Sequence, residues 1–217
     1  FTYIGRQVTL EGCRKALETG EARQAVSPIC GGGASLYGNG QPEDVPLFTG
    51  TTAESVSEYL IRNQKVMLDK LKTQDRLARE VTTLPAMPQF RTTCRIDGDY
   101  TLREEDKYTH FPDSVAAICD FDRRNFLYEV PYRTLTRAGY DNLITAGRSA
   151  AAVGYAWDIL RVIPPAIITG QAAGEAVCQA IDTGKAIWDI DISRLQNTLE
   201  TRGVMIHFDN IDIVKED

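Results

Sequence analysis

Residues 142–174 constrain the fold of this chain more than any other stretch. They begin with a short apolar run, residues 143–146, which is typical of a buried strand, and Gly147 ends that run where a backbone can approach a ligand closely. Pro164 and Pro165 then open a long segment rich in small and apolar residues. Proline is tolerated in a first helical turn because the N–H that it lacks has no partner there. The pattern predicts a strand, a glycine turn, a polar or helical excursion, and a helix that begins at about Pro165.

Small residues recur on one face of that helix, because Ala166, Gly170 and Gly174 are spaced by four positions. Glycine inside a helix costs about 1 kcal/mol relative to alanine, so this spacing predicts close packing against a neighbour. Two interpretations stay open. The stretch is either a buried strand with a tightly packed core helix, or a cofactor site in which a helix N-terminus presents free N–H groups to a phosphate or to the electron-rich edge of a flavin ring.

Composition and charge exclude several classes of partner. The 217 residues suffice for one large domain or two small ones, and 43% of them are hydrophobic. A net charge of −6 with scattered basic residues gives no reason to expect nucleic acid or an anionic membrane. The sequence has no apolar run of about 20 residues and no signal peptide, so we expect a cytoplasmic protein.

The sequence also predicts no metal site. The five cysteines form no C-x-x-C pair, and the two histidines, His110 and His207, lie far apart in sequence. Most of the cysteines are expected to be small buried residues.

Local patterns predict several further elements. A short helix over residues 9–19 ends at Gly20, and a longer helix near residues 52–79 follows a capping box of Thr51 and Glu54. A second box, Thr101 with Glu104, opens one or two helical turns. The glycine-rich residues 30–40 are interpreted as a structural or substrate-lid loop. Strands are predicted over residues 90–97, 114–121, 126–132 and 204–208, and a last helix is predicted from Asp191 to Gly203.

A set of short runs in a fixed order resembles a known protein family. They are Arg91 with residues 95–102, residues 111–116, residues 130–133, residues 141–143 with 146–148, Arg161 with Pro164, and residues 170–174. Together they resemble the C-terminal half of a family of bacterial FAD-dependent oxidoreductases, in the glutathione-reductase-like group that also contains fumarate reductase flavoproteins. The resemblance covers roughly residues 50–205.

The resemblance implies a flavin site whose second half lies in this chain. The strand matching residues 142–147 would lie along the ribityl and pyrophosphate, and the helix matching residues 167–174 would direct its N-terminus at the pyrimidine edge of the flavin. The implied cofactor-binding residues are Asn142, Gly147, Arg148, Ile167, Gly170 and Gln171. The implied catalytic or substrate-side residues are Tyr132, Arg133 and Arg161. The two arginines would hold a carboxylate, an enolate-like oxygen or the flavin itself, or else form salt bridges at a domain boundary.

One departure from the family bears on the cofactor. The G-x-G-x-x-G run of the family's N-terminal Rossmann unit does not occur in this sequence, which opens on Phe1 within an apolar run. We therefore interpret the chain as a C-terminal fragment, with FAD present in the parent enzyme and absent from the fragment. The expected partners are a small-molecule substrate, the missing Rossmann segment of the same protein, and a second copy of the chain in a homo-oligomer.

The expected fold class is α/β to α+β. Residues 1–127 would form a substrate or cap region, and residues 128–217 the C-terminal part of an FAD-binding domain whose sheet is only partial. The function expected for the parent is hydride transfer between flavin and a small organic substrate that the sequence does not identify. The alternative is a non-catalytic binding or interaction module that keeps the scaffold without the cofactor.

Overall fold

The computed structural model describes residues 4–8, 10–21, 26–30, 48, 50–73, 75, 77, 88, 90–120, 123 and 126–208. The chain divides into two compact units, unit 1 (Phe1–Thr93) and unit 2 (Cys94–Asp217). The boundary expected between residues 127 and 128 remains a prediction. A boundary there would fall after the first residue of the strand Leu127–Pro131. It would separate the rest of that strand from its partner, Ser114–Cys119.

The described residues of unit 1 form a two-stranded sheet and two helices. These elements are β1 (Ile4–Val8), α1 (Leu10–Thr19), β2 (Val26–Cys30) and α2 (Ala53–Lys72), and β1 pairs antiparallel with β2. The prediction of a helix that stops at Gly20 is confirmed, since Gly20 has a φ of +71°. Strand β2 had no prediction. Most of the glycine-rich residues 30–40 lie outside the described residues.

The long helix α2 begins one residue later than its predicted capping box requires. Thr52 is the residue that caps it, because the backbone N–H of Ser55 donates to Thr52 Oγ1 at 3.2 Å. The capping box of Thr51 and Glu54 is therefore wrong by one position. The helix ends at Lys72 rather than near residue 79.

In the part of unit 2 that the structure describes, a β-hairpin packs with three α-helices. These elements are β3 (Ser114–Cys119), β4 (Leu127–Pro131), α3 (Gly154–Leu160), α4 (Ile163–Thr183) and α5 (Ile192–Thr201). Strands β3 and β4 pair antiparallel, with an irregularity in register between Ser114 and Ala116. Helices α4 and α5 pack against β3. The predicted strands over residues 114–121 and 126–132 are confirmed, and so is the mixed helix-and-strand fold class.

Helix α4 packs through a different face from the one that its glycines suggested. Ala172 and Ala176 are fully buried in the core, whereas Gly170 and Gly174 are exposed. A Cβ added at either glycine would meet nothing within 4 Å among the described residues. The prediction of close packing at these two glycines is therefore wrong for unit 2, in which the buried small residues of α4 are alanines.

The boundaries of α4 and α5 follow their sequence signals. Helix α4 begins at Ile163 with the two prolines in its first turn, and Gly184 ends it in the left-handed conformation at a φ of +65°. Asp191 caps α5 by accepting the backbone N–H of Arg194 at 3.1 Å. No helix among the described residues is long and apolar enough to cross a membrane.

Two predicted strands are not regular strands in the structure. Residues 90–97 form no strand, and the backbone N–H of Ile96 donates to a carbonyl in the turn at residues 147–149. Residues 143–146 make one antiparallel bridge, between Ile144 and Thr136. A strand requires a neighbour along its length, and these segments pair with the described residues only at isolated points.

The last described segment, residues 204–208, lies beside β3 without becoming a regular strand. The backbone N–H of Ala117 donates to the carbonyl of Met205 at 2.8 Å. The buried hydroxyl of Ser114 donates to the carbonyl of Ile206 at 2.6 Å. The terminal strand predicted here is therefore reduced to an extended segment that is held by individual hydrogen bonds.

The predicted capping box of Thr101 and Glu104 is replaced by one around Asp106. This carboxylate accepts the backbone N–H of Arg103 at 2.8 Å and the hydroxyl of Tyr100 at 2.7 Å, and only a 3₁₀ turn (Glu104–Asp106) follows. Burial, together with the hydrogen bond to Asp106, raises the pKa of Tyr100 to about 12.

Candidate functional site

A largely apolar cavity of about 590 Å³ lies where α4 begins beside β3. Its lining consists of Ala117, Ile118 and Cys119 of β3 together with Arg161, Val162, Ile163, Pro164, Pro165 and Ile168. The cavity thus joins a strand end, a helix N-terminus and one arginine within unit 2. Concave apolar sites with a few polar groups are the usual places for small ligands.

Arg161 is the charged group of this cavity. It follows α3 directly, and its Nε donates to Asp158 Oδ1 at 2.7 Å, with both side chains about 85% buried. The contact uses only the Nε–H group of the guanidinium. It leaves both Nη nitrogens without a hydrogen bond to any of the described residues. The pair holds a partly buried cation in place, and that cation can bind a carboxylate or another anionic oxygen.

The N-terminus of α4 offers the electrostatic field of the helix dipole but few free hydrogen-bond donors. Pro164 and Pro165 have no N–H, and Ala166 donates its own to the carbonyl of Val162 at 3.1 Å. Among the first four helical residues, only Ile163 keeps an N–H that the helix does not use. The expectation of several free N–H groups at this terminus is therefore wrong, although the positive end of the helix dipole remains.

Gly147 lies directly against α4. Its φ is +59°, and its N–H donates to Thr169 Oγ1 at 2.9 Å, while that hydroxyl donates in turn to the carbonyl of Pro165 at 2.7 Å. A Cβ added at Gly147 would lie 3.0 Å from the Cβ of Ala166. Glycine is required here by both the backbone conformation and the space.

The other residues implied to bind the cofactor are accessible to solvent. They are Asn142, Arg148, Ile167, Gly170 and Gln171, of which only Gln171 is partly buried. The backbone carbonyl of Arg148 accepts the indole N–H of Trp157 at 2.8 Å, which links the turn after Gly147 to α3. The structure thus brings Gly147 against α4 and leaves the remaining five at its surface, so that their role stays a prediction.

Tyr132 is part of the core of unit 2. It is 1% exposed, and its hydroxyl donates to the carbonyl of Ile187 at 2.6 Å. Burial raises the pKa of Tyr132 above its ordinary value. These contacts give the side chain a structural role, and its catalytic role remains a prediction.

Arg133 is held by a carboxylate on the surface of unit 2. Its Nε and Nη2 donate to the two oxygens of Asp113 at 2.9 and 3.1 Å, and its guanidinium lies 5.2 Å from the ring centre of Tyr100. The hydrogen bonds to Asp113 raise the pKa of Arg133. Of the three implied substrate-side residues, only Arg161 lines the cavity, and no hydrogen bond among the described residues joins it to the other two.

Sequence reasoning missed most of the residues that form this cavity. Whether the side chains of Cys119, Ile118 and Ile168 line a cavity depends on how β3 packs against α4. No local sequence pattern indicates that packing. Asp158 did carry a signal, since an acid and a base three positions apart on a helix are neighbours.

A second surface of unit 2 is the exposed apolar face of α4. Ile163, Ile167, Val177 and Ile181 are 75%, 64%, 38% and 76% exposed, and Gly170 and Gly174 lie between them on the same face. The six positions alternate in steps of four and three, which is the spacing of a seam that packs against a partner. We call these six residues the α4 face.

The cavity and the α4 face occur in a chain that belongs to a known class of flavoprotein. The family model described as FAD dependent oxidoreductase matches residues 39–199, which is more than half of the chain. The chain belongs to this family, and the resemblance drawn from its motifs is confirmed at that level. Family membership supports a flavin oxidoreductase-like function, with FAD as the cofactor that the family's description names. A search of curated proteins and a search of solved structures each find no match.

Proposed function

We propose that this chain provides part of the flavin pocket and of the substrate side of an oxidoreductase that transfers a hydride between FAD and a small organic substrate. The parent would be a bacterial enzyme of the glutathione-reductase-like group. The observation that carries the proposal is the apolar cavity at the start of α4, with Arg161 in its wall, in a chain of the FAD-dependent oxidoreductase family.

The residues around α4 fit an aromatic cofactor with an electron-rich edge. The cavity has an apolar lining, the helix directs its positive end there, and Gly147 leaves no side chain between the turn and the helix. Bound FAD would supply the two-electron acceptor for the hydride. Gly147, Arg148 and Asn142 would lie along its phosphate and ribityl side, and Ile167, Gly170 and Gln171 beside its ring.

Arg161 is our candidate for holding the substrate. Its contact with Asp158 fixes the guanidinium at the cavity wall, and its two Nη nitrogens can donate a pair of parallel hydrogen bonds to a carboxylate. The proposed substrate is therefore a small organic acid or an enolisable carbonyl compound. Tyr132 and Arg133 are kept as weaker candidates, because their polar groups are already bonded to Ile187 and Asp113.

The α4 face is the proposed contact with the rest of the cofactor site. The α4 face exposes four large apolar side chains and carries no charged residue. A helix in a complete globular domain usually buries such a face against a neighbour. We propose that a Rossmann segment of the same protein, carrying the G-x-G-x-x-G run, covers the part of this face from Gly174 to Ile181 and brings the ADP half of FAD, while the start of the face lies beside the flavin ring. Without that segment the chain would bind FAD weakly or not at all.

An absorbance spectrum of the full-length polypeptide and of the 217-residue chain, purified side by side, tests the proposal. We expect a flavin band and one FAD for each full-length molecule, and a colourless 217-residue chain. A colourless full-length protein would favour the non-catalytic module instead. Stoichiometric FAD in the 217-residue chain would contradict the role given to the Rossmann segment.

A pair of neighbouring substitutions on α4 separates the role of the α4 face from general damage to the helix. Ile181→Lys puts a positive charge on the face, whereas Asp182→Lys puts a lysine on the adjacent, exposed position outside it, where it also breaks the exposed ion pair of Asp182 with Arg194. We expect Ile181→Lys to lower the FAD content of the full-length protein and Asp182→Lys to leave it unchanged. Equal FAD contents in the two variants would show that the face is not covered by the FAD-binding segment. A soluble homo-oligomer of the 217-residue chain that Ile181→Lys alone dissociates would assign the face to a second copy.

A further inference from the structure

Glu129 is a buried carboxylate that lies outside the cavity at α4. It is 1% exposed on strand β4, and backbone N–H groups bond both of its oxygens. Phe111 donates to Oε2 at 2.8 Å, and Phe208 donates to Oε1 at 3.3 Å. Two fixed donors hold the carboxylate in one orientation, and its remaining lone pairs are available to other groups.

Both histidines of the chain meet at this carboxylate. The 217 residues contain two histidines, and each directly precedes one of the phenylalanines that donate to Glu129. His207 Nδ1 lies 2.9 Å from Oε2 and His110 Nδ1 lies 3.5 Å from Oε1, and the two ring centres are 4.5 Å apart. The fold therefore brings together two histidines that are far apart in sequence. Their separation in sequence was one reason for expecting no metal site.

The distances in this cluster are close to those of a metal-binding site. One ligand atom from each of the three side chains can be chosen so that all lie within 4.8 Å of one another. Four ligands around Zn²⁺ at about 2.1 Å are roughly 3.4 Å apart, so an ion would need the three groups to move by only about 1 Å or less. Two imidazoles and one carboxylate also match the donors of many zinc sites, with room for water or another ligand.

We propose that His110, Glu129 and His207 form a binding site for a divalent transition-metal ion of the Zn²⁺ type. The ion would be bound by one nitrogen of each histidine and by the carboxylate. The N–H groups of Phe111 and Phe208 orient that carboxylate as outer-shell donors orient the ligands of established metal sites. The imidazole of His110 is 53% exposed, which gives the ion a route from solvent to the buried Glu129.

The site would act as a clamp within unit 2. His110 precedes strand β3, Glu129 lies on β4, and His207 belongs to the extended segment that runs beside β3. A bound ion would join these three parts of the chain and add to the hydrogen bonds that hold residues 204–208. Binding to the folded form alone stabilises it in proportion to the logarithm of the ion concentration over Kd.

Titration of the metal-free 217-residue chain with Zn²⁺ and with Co²⁺ tests the proposal. We expect one equivalent of Zn²⁺ by calorimetry, a higher melting temperature of unit 2, and for Co²⁺ the visible d–d bands of a four- or five-coordinate site. The chain also has four free cysteines among its described residues, and coordination by a cysteine would add an intense near-ultraviolet thiolate band. That band would assign the ion to a cysteine and overturn the proposal.

Two single substitutions and a control show which groups bind the ion. His110→Gln and His207→Gln should each raise the Kd for Zn²⁺ roughly tenfold or more, because each removes one of three protein ligands. Glu175→Gln changes a carboxylate that pairs with Arg202 and should leave the Kd unchanged. His110→Gln is the decisive variant because its side chain is half exposed and its loss leaves the core intact, which circular dichroism verifies. No binding of Zn²⁺ at millimolar concentration, or equal Kd values for the wild type and both histidine variants, would refute the site.

Discussion

Gly147→Ala is the substitution for which the structure gives the most complete expectation. The left-handed backbone at this position costs an alanine about 1–2 kcal/mol, of which the stiffer unfolded chain offsets about 0.4–1 kcal/mol. The new methyl group would also lie 3.0 Å from the Cβ and 3.4 Å from the Cα of Ala166, and overpacking of this kind costs about 1–3 kcal/mol. We expect the free energy of unfolding of unit 2 to fall by about 3 kcal/mol.

Gly154→Ala is the matched control. Gly154 has nearly the same backbone, with a φ of +58° against +59° for Gly147, but an added Cβ meets none of the described residues within 4 Å. Only the conformational cost applies there, so we expect a loss of about 1 kcal/mol. The difference between the two variants, about 2 kcal/mol, measures the contact between the Gly147 turn and α4.

Urea denaturation followed by tryptophan fluorescence measures both variants in the same unit. Trp157 and Trp188 are the two tryptophans of the chain, and both belong to unit 2. Equal m values would show that the comparison concerns stability rather than a changed denatured state. Equal losses in the two variants would refute the reasoning, because the turn would then not be in tight contact with the helix.

Three further expectations concern polar groups of unit 2. Tyr132→Phe should lower the free energy of unfolding by about 1–2 kcal/mol, because the carbonyl of Ile187 loses its hydrogen-bond donor. A large loss of turnover in the full-length enzyme with unchanged stability would instead support a catalytic role for the hydroxyl. Burial raises the pKa of Tyr100 from 10.0 to about 12, so the stability it contributes is present below pH 10 and lost as the pH rises from 10 to 12. A urea midpoint that stays constant up to pH 12, or the same decline in Tyr100→Phe, would contradict this. Ser114→Ala should cost about 1–2 kcal/mol and speed amide exchange at residues 204–208, since its hydroxyl donates to the carbonyl of Ile206; unchanged exchange would argue against that anchor.

The parts of the fold that sequence predicts well are those with local signals. Helix α4 begins at its prolines and ends at Gly184, and Asp191 caps α5, because caps and breakers act within one turn of their own position. The β3–β4 hairpin also follows from two nearby apolar runs. The same locality explains why the capping box of α2 was wrong by only one residue.

The parts that sequence does not predict depend on which surfaces meet. Alanine and glycine are both small, so their spacing on α4 could not show that Ala172 and Ala176 are buried in the core while Gly170 and Gly174 are exposed. Strand predictions failed where a run had the right composition but no continuous neighbour.

The candidate sites show the same limit. The family pattern implied Arg161, which lines the cavity, and equally Tyr132, whose hydroxyl is bonded to a carbonyl 55 positions away. The histidine cluster was overlooked because Glu129 and His207 are 78 positions apart. Long-range pairs of this kind have no signature in a single sequence.

The hydrogen bonds at Glu129 also set an order of events during protein synthesis. The donor at Phe208 is 79 residues downstream of the carboxylate that accepts it. At a translation rate of roughly 5–20 residues per second, about 4–16 s pass between the synthesis of the two. During that interval the nascent β3–β4 hairpin carries the carboxylate of Glu129, which is buried in the folded protein, without the hydrogen bond from Phe208. Unit 2 can therefore reach its final packing only when the chain has been made as far as Phe208, and a polypeptide that terminates just after α5 would remain a substrate for chaperones and proteases.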